Sequence, residues 1–449
     1  MKCTLPLFYK HERLKHSMIQ SLQFLSLPSG VKRFLATESL YGLSIGMFTL
    51  ILNLHFIEMG ISEKQIGFIT SMGILVMGIF AIPVSILAKK TGRKKLLVSG
   101  IMSIAIGCSI FAFAESFTFF FLAQFIVSIG LTLVETTEIQ LLFHYSRSKR
   151  EETQAYSFLF AVFTAFTGAG TLLGGFLPNW IELSGRGYQN TLLVTSILFL
   201  LLACARGGLL PSEKGRKSLR QTEMEMKEVT ASEPKVISQT KGNNSCKLQQ
   251  KLLFFAVFAL ITGGAVSCLQ PYLNLFIKFR FDFTNEAVSI LLALNGLALF
   301  IGSVFSPSMI DRFGIKKTFF YIYMVNSILC LILFLNIPAF FFSGLLLIRG
   351  GVFTMLTNLV DSLSMSSFKD EERDLYAGIR AVFRSIGSAL AAFMIGTILA
   401  GKNYTLPFLL AGLLLFLGYV YFANVIRPKF FETDQEFRTS SQGEITNEC

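Results

Sequence analysis

Long apolar stretches alternate with short polar connections along almost the whole chain. Twelve of them, at about 34–57, 64–88, 95–114, 117–143, 154–177, 188–205, 252–277, 286–310, 318–337, 339–365, 376–399 and 404–424, are long enough to cross a bilayer, since a spanning helix takes about 20 predominantly apolar residues. Lipid cannot satisfy the backbone of an open strand, so each is predicted as a helix. The pattern predicts an all-α integral membrane protein of 12 transmembrane helices arranged as two six-helix bundles, 34–205 and 252–424. Residues 206–251 between them are polar and charged, with runs such as Glu213-Lys214-Gly215-Arg216-Lys217, and read as a flexible linker. Residues 1–33 and 425–449 read as polar end segments, the first without a cleavable signal pattern.

Composition agrees with this pattern. Hydrophobic residues make up 52% of the 449 and charged residues only 15%, with 47 Phe, against about 25% charged in soluble proteins. That excludes a disordered chain and argues strongly against a soluble enzyme. The net charge is +12, but its distribution matters more than its size. With the N-terminus in the cytoplasm, about 32 Lys and Arg fall on cytoplasmic segments and about five on outer loops. This is the positive-inside signature, so both termini are expected to be cytoplasmic. The surplus suits contact with anionic membrane lipid rather than nucleic acid. Trp180, beside Pro178 at an outer helix end, suits an interfacial anchor.

The chemistry of soluble catalysis is sparse. Seven cysteines are scattered without C-x-x-C spacing, and there are four histidines. No metal site, nucleotide loop or nucleophile elbow is signalled, so no catalytic residue, metal or bound cofactor is expected.

The two halves repeat each other. Leu52-Asn53-Leu54 recurs as Leu273-Asn274-Leu275, Gly92-Arg93-Lys94-Lys95 as Gly314-Ile315-Lys316-Lys317, and Ala161-Val162-Phe163 as Ala381-Val382-Phe383, at offsets of 221, 222 and 220. Six spans is an even number, so the halves are parallel repeats about an axis along the membrane normal, a symmetry suited to two halves rocking about a central site. The repetition of Asn53 and Asn274 near the outer ends of their spans points to a shared structural hydrogen bond more than to substrate contact.

The loop between spans two and three and its copy between eight and nine resemble the signature of the Major Facilitator Superfamily of secondary transporters, roughly G-x-L-A-D-R-x-G-R-K. The second copy, Pro307 to Lys317, keeps Asp311, Arg312, Gly314 and the lysines. The first, Ser85 to Lys95, keeps Gly92 and Arg93 but has Lys89 at the acidic position. A tight turn here needs a glycine, and a carboxylate can cap a facing helix N-terminus; Asp311 can do this and Lys89 cannot. The arginine expected early in span four is replaced by Gln124, while span ten carries Arg349-Gly350-Gly351. A glycine-rich stretch associated with antiporters is half matched by Gly170-Thr171-Leu172-Leu173-Gly174-Gly175, for which close packing of small residues is the simpler reading. The resemblance covers about residues 34–424. It implies a monomeric carrier of a small organic solute or amphiphile, working by alternating access. The proton gradient is the implied energy source and efflux the favoured direction, with uptake by symport or uniport, a sensor and a lipid-moving scaffold as alternatives.

Ionisable residues within spans are costly and mark candidate sites. Glu135 and Glu138 share a face of span four, and Arg380 and Arg384 share a face of span eleven. Both pairs lie at depths of roughly 6–12 Å from the cytoplasmic side. Two inter-half rungs, Glu138–Arg380 and Glu135–Arg384, form one candidate inner gate; a pair within one half, such as Asp361–Arg380, and interfacial snorkelling are the alternatives. Arg349, near mid-membrane, reads either as a ligand for an anionic substrate group or as the partner of a carboxylate. Glu38 lies near the inner boundary and reads as snorkelling.

Overall fold

A computed structural model describes residues 27–181, 186–211, 241–368 and 370–432. Among them twelve helical segments are long and apolar enough to cross a membrane: α1 Ser29–Glu58, α2 Glu63–Ala88, α3 Arg93–Phe113, α4 Phe117–Tyr145, α5 Glu151–Trp180, α6 Gly187–Leu209, α7 Leu248–Phe281, α8 Asn285–Ser306, α9 Lys317–Phe334, α10 Ala339–Met365, α11 Leu375–Ala400 and α12 Leu406–Phe430. All twelve expected spans are present, and no strand occurs among the described residues.

The turns have local causes. Gly92 stands between α2 and α3 at φ 96°, a left-handed conformation that costs glycine little. Ser62 opens α2 with a reciprocal capping box to Gln65, which satisfies donors that the first helical turn leaves over. Helical backbone continues without a break from α8 into α9, over Asn285–Phe334. It is nonetheless folded back on itself, because the Thr318 hydroxyl donates to the Met309 carbonyl at 3.0 Å. Nine residues of straight helix would separate these positions by about 13 Å. Helix α7 is interrupted: it stops at Ser267, makes a 3₁₀ turn over Gln270–Tyr272 and resumes at Leu273.

The same packing is built twice. In the first half α1 lies against α5 and α6, and α4 against α2 and α3. In the second, α7 lies against α11 and α12, and α10 against the α8–α9 pair. The internal repeat read from the three tripeptides is therefore also a repeat of contacts. Gly170 belongs to this packing, because a Cβ there would run into the backbone of Leu43 on α1; its stretch is close-packed, as the simpler reading had it. Cationic and hydroxyl donors secure the end of α6. Arg33 donates to Leu209 O at 3.3 Å, Lys94 to Leu210 O at 2.6 Å and Tyr145 to Pro211 O at 2.9 Å. These carbonyls have no partner in the helix itself.

The halves meet along two seams, α2 with α11 and α5 with α8, and through α1 with the resumed part of α7. At the face opposite the lysine- and arginine-rich loops these contacts are close. A Cβ on Gly67 would lie 2.7 Å from the Gly396 Cα, so the two backbones meet with no room for a side chain. Asn53 donates to Pro271 O at 2.7 Å and to Asn274 Oδ1 at 3.2 Å, while Asn274 donates to Leu50 O at 2.8 Å. The repeated asparagines thus reach across the pseudo-twofold to each other and to each other's backbone. Asn179 of α5 also donates to Glu286 of α8. Toward the basic face, Glu135 is exposed and the side chains of Asp361 and Arg384 are 45% and 40% exposed.

Candidate functional site

The most heavily charged buried site lies in the first half, around a residue that sequence reasoning placed in the linker. Arg206 is on the last turns of α6 and is fully buried. Its guanidinium makes an ion pair with Glu38 of α1, and a second with Glu138 of α4 at 3.1 Å. Its Nε donates to Thr37 Oγ1 at 3.3 Å. The rings of Phe34 and Tyr41 stand 4.9 and 5.2 Å from the guanidinium carbon, which adds cation–π attraction. Its planar fork of donors suits such a set of partners. Glu38 is fully buried, and its second oxygen has no hydrogen-bond partner. Glu38 is therefore not snorkelling: α6 extends past the boundary expected for it and brings a cation to the carboxylate.

Glu135 lies one helical turn from Glu138 yet is exposed. The charges that act on it are Glu138 and, from the other half, Arg384. One guanidinium in the first half thus holds two carboxylates, and a third, Glu135, lies a helical turn from one of them and is exposed. The second half has the opposite surplus. Arg380 pairs with Asp361 of α10, and Arg384 Nη1 stands 4.0 Å from the other Asp361 oxygen, beyond hydrogen-bonding distance. The side chains of Asp361 and Arg384 are 45% and 40% exposed, although both lie within spans. Toward the basic face the first half thus exposes a carboxylate and the second half an arginine that acts on it.

Neither proposed rung is an ion pair in this state. Glu138 turns to Arg206 and Arg380 turns to Asp361, each within its own half, so the within-half pair Asp361–Arg380 is present and Glu138 has a partner that the sequence reading did not name. Glu135 and Arg384 do face each other electrostatically without contact. The physical reason is a partner within each half: a cation on α6 satisfies Glu138, and a carboxylate on α10 satisfies Arg380.

Arg349 is only 4% exposed. It packs inside the second bundle, over the Phe353 ring at 4.5 Å, and its charge acts on the buried thiols of Cys268 and Cys330. Its Nε and Nη2 have no hydrogen-bond partner among the described residues. Among the described residues no carboxylate forms an ion pair with it. Of the loop signature, Gly92 makes the α2–α3 turn and Arg93 begins the helix of α3. Arg312 is exposed beside the Phe313 ring. The side chains of Lys89 and Asp311, with the surroundings of Gly314, lie outside the described residues.

One signal for Arg206 was available in the sequence. An arginine within a turn of a predicted span end, with glutamates at matching depth on two other spans, fits a buried partner as well as it fits a linker charge.

Three comparisons bear on this site and fold. The family model described as the Major Facilitator Superfamily matches residues 34–392 and 253–441. A curated relative, Multidrug resistance protein 2 of Bacillus subtilis (strain 168), is 20% identical over 337 residues, covering 73% of this chain and 78% of that protein. Among solved structures, a bacterial homolog of the human lysosomal transporter Spinster, in an inward-facing and occupied conformation, matches with a TM-score of 0.69 at 12% identity, over 90% of this chain and 97% of that one. The nucleoside transporter NupG matches at 0.65 and 14% identity, over 88% and 98%. At these identities the structural matches speak for the fold.

Proposed function

The chain belongs to the Major Facilitator Superfamily, and on that premise we propose that it is a proton-coupled exporter of small amphiphilic solutes, working by alternating access in the cell membrane. The observation that carries this reading is Glu135, an exposed carboxylate within a span on which Arg384 of the other half acts, one turn from Glu138, which Arg206 already holds. A carboxylate so placed can hold a proton or a cationic group of the solute, but not both. Binding of one therefore displaces the other, as exchange requires.

The positive-inside rule puts the basic face in the cytoplasm, which makes this an inward-facing state sealed on the outer side by Asn53, Asn274 and the Gly67–Gly396 approach. The solute enters from the cytoplasmic side between Glu135 and Arg384. As it draws α4 and α11 together, the asparagine latch opens, and outside protons then reload Glu135. Arg206 holds Glu38 and Glu138 in place so that the proton-carrying step falls on Glu135. The similarity to a multidrug resistance protein supports the outward direction. Twelve apolar helices and the family support the multi-pass membrane location.

The test is uptake of a compound panel, weighted to amphiphiles, into energised inside-out vesicles. The reading expects uptake that an uncoupler abolishes and that Glu135→Gln loses. Uptake that persists without a proton gradient, or accumulation only in right-side-out vesicles, overturns it.

A further inference from the structure

A small cavity lies inside the second bundle. Asp361 of α10 and Arg380 and Arg384 of α11 line it, together with Thr262 of α7, Tyr323 of α9 and Leu415 of α12. Its walls therefore come from helices of one half, and not from a contact between the halves. The internal repeat sets Ala381 against Ala161, so Arg380 and Arg384 correspond to Phe160 and Thr164. The first half builds the same packing without these charges, so the two arginines are not a requirement of the fold.

The polar groups of this cavity are not all matched. Tyr323 is fully buried, and its ring packs against Phe319 and Tyr419, with centres 4.8 and 6.0 Å away. The Asp361 charge acts on it, yet its hydroxyl has no hydrogen-bond partner among the described residues. A buried hydroxyl left unpaired is costly and calls for a partner. Thr262 and Thr357, also in the wall, spend their hydroxyls on carbonyls of their own helices. Arg380 pairs with Asp361, while Arg384 stands 4.0 Å from that carboxylate without a hydrogen bond. Two guanidiniums against one carboxylate leave one positive charge over. The cavity thus offers a ligand one guanidinium fork and one hydroxyl, both donors.

Charge and size together select the ligand. The surplus positive charge and the two donors suit an oxyanion and repel an ammonium. An arginine fork takes carboxylate and phosphate alike, so size decides between them. The cavity measures about 30 Å³, and a water-sized group needs about 10–15 Å³. That is room for the two oxygens of a carboxylate and too little for the three or four of a sulfonate or phosphate. We infer that the second bundle holds a carboxylate subsite, where Arg384 and Tyr323 bind the oxygens of an ionised carboxyl group of the solute. Arg384 also acts on Glu135, where the cationic group is held, so the cargo bears both charges. This deepens the reading above and rests on it for the bound solute being cargo.

The test is equilibrium binding of tritiated 3-phenylpropionate to the full chain in lipid nanodiscs at neutral pH. Saturable binding is expected. The matched sulfonate and phosphonate, 2-phenylethanesulfonate and 2-phenylethylphosphonate, compete at least five-fold more weakly, and 2-phenylethanol does not compete. Tyr323→Phe removes only the hydroxyl, and losing a hydrogen bond to a charged group weakens binding about ten-fold or more. Arg384→Gln weakens it at least as far. Tyr321→Phe, the same change at an exposed position of the same helix, leaves it unchanged. Melting temperature and monodispersity establish that each variant is folded. No saturable binding, equal competition by the sulfonate, or undiminished affinity in folded Tyr323→Phe overturns the inference. Binding is read without a proton gradient, so loss of the subsite and failure of proton-coupled export in inside-out vesicles are separate results.

Discussion

Replacing Arg206 with Met is the sharpest test of how the first half is held together. The substitution keeps the apolar volume of the side chain and removes its charge. Glu38, fully buried, and Glu138, 13% exposed, then lose their shared cation, and the Phe34 and Tyr41 rings lose their cation–π partner. Breaking a buried pair by removing one partner costs about 3–5 kcal/mol, because the desolvation of the other partner is no longer offset. At about 2–4 °C per kcal/mol for a unit of 150–250 residues, the size of one bundle, this corresponds to a fall of roughly 6–20 °C in melting temperature. The assay is thermal unfolding of the detergent-solubilised chain, followed by loss of the monodisperse chromatographic peak. Removing the stranded charges as well, in Arg206→Met/Glu38→Gln/Glu138→Gln, is expected to restore more than half of the loss. Arg206→Lys is expected to fall between, because a point charge cannot reach Thr37, Glu38 and Glu138 at once. A single variant melting with the wild type, or a triple variant less stable than the single one, refutes the reasoning.

The outer latch gives a second prediction. Asn274→Ala removes the bond to Leu50 O and the acceptor used by Asn53; at about 0.5–1.5 kcal/mol per hydrogen bond, the outward-facing population rises roughly 2- to 12-fold for each bond lost. Spin-label distances across the outer ends of α1 and α7 measure it. Gly396→Leu puts a side chain where the α2 backbone lies, so it is expected to hold the outer side open; cysteine labelling from outside should rise while exchange across the membrane stops. Glu135→Gln removes the group that proton and solute share, so gradient-driven accumulation of a cationic compound disappears while a folded Glu38→Gln variant, changed at a carboxylate Arg206 holds, keeps it, as read in the same vesicles.

The fold was legible because its signals are long and redundant. Each span is a run of apolar residues set by bilayer thickness, and the twelve runs stand clear of the polar connections between them. The repeat announced itself in Asn53 and Asn274, and the shared structural bond expected of that pair is a direct bond between the halves. The site was legible only in part. Depth matching put Glu135, Glu138, Arg380 and Arg384 at one level, but depth does not say which way a helix face turns or how far apart the halves stand. Glu138 therefore looked available for Arg380 when Arg206 already held it. That partner was hidden by a boundary: α6 runs to Leu209, a single turn beyond the apolar run, and this turn carries the arginine. Arg349 misled for the reverse reason. A charge at mid-membrane suggests a cavity, whereas an aromatic face four residues along its own helix, Phe353, lets it lie inside the bundle.

The proton itself gives the most direct test of the central claim. Purified protein is reconstituted in liposomes with a pH-sensitive dye inside, and the compound selected by the vesicle panel is added outside without any imposed proton gradient. Exchange predicts that inward movement of the compound drives protons out, so the interior becomes alkaline, and that Glu135→Gln abolishes the signal. Acidification of the interior, which marks symport, or compound entry with no change in pH contradicts the account.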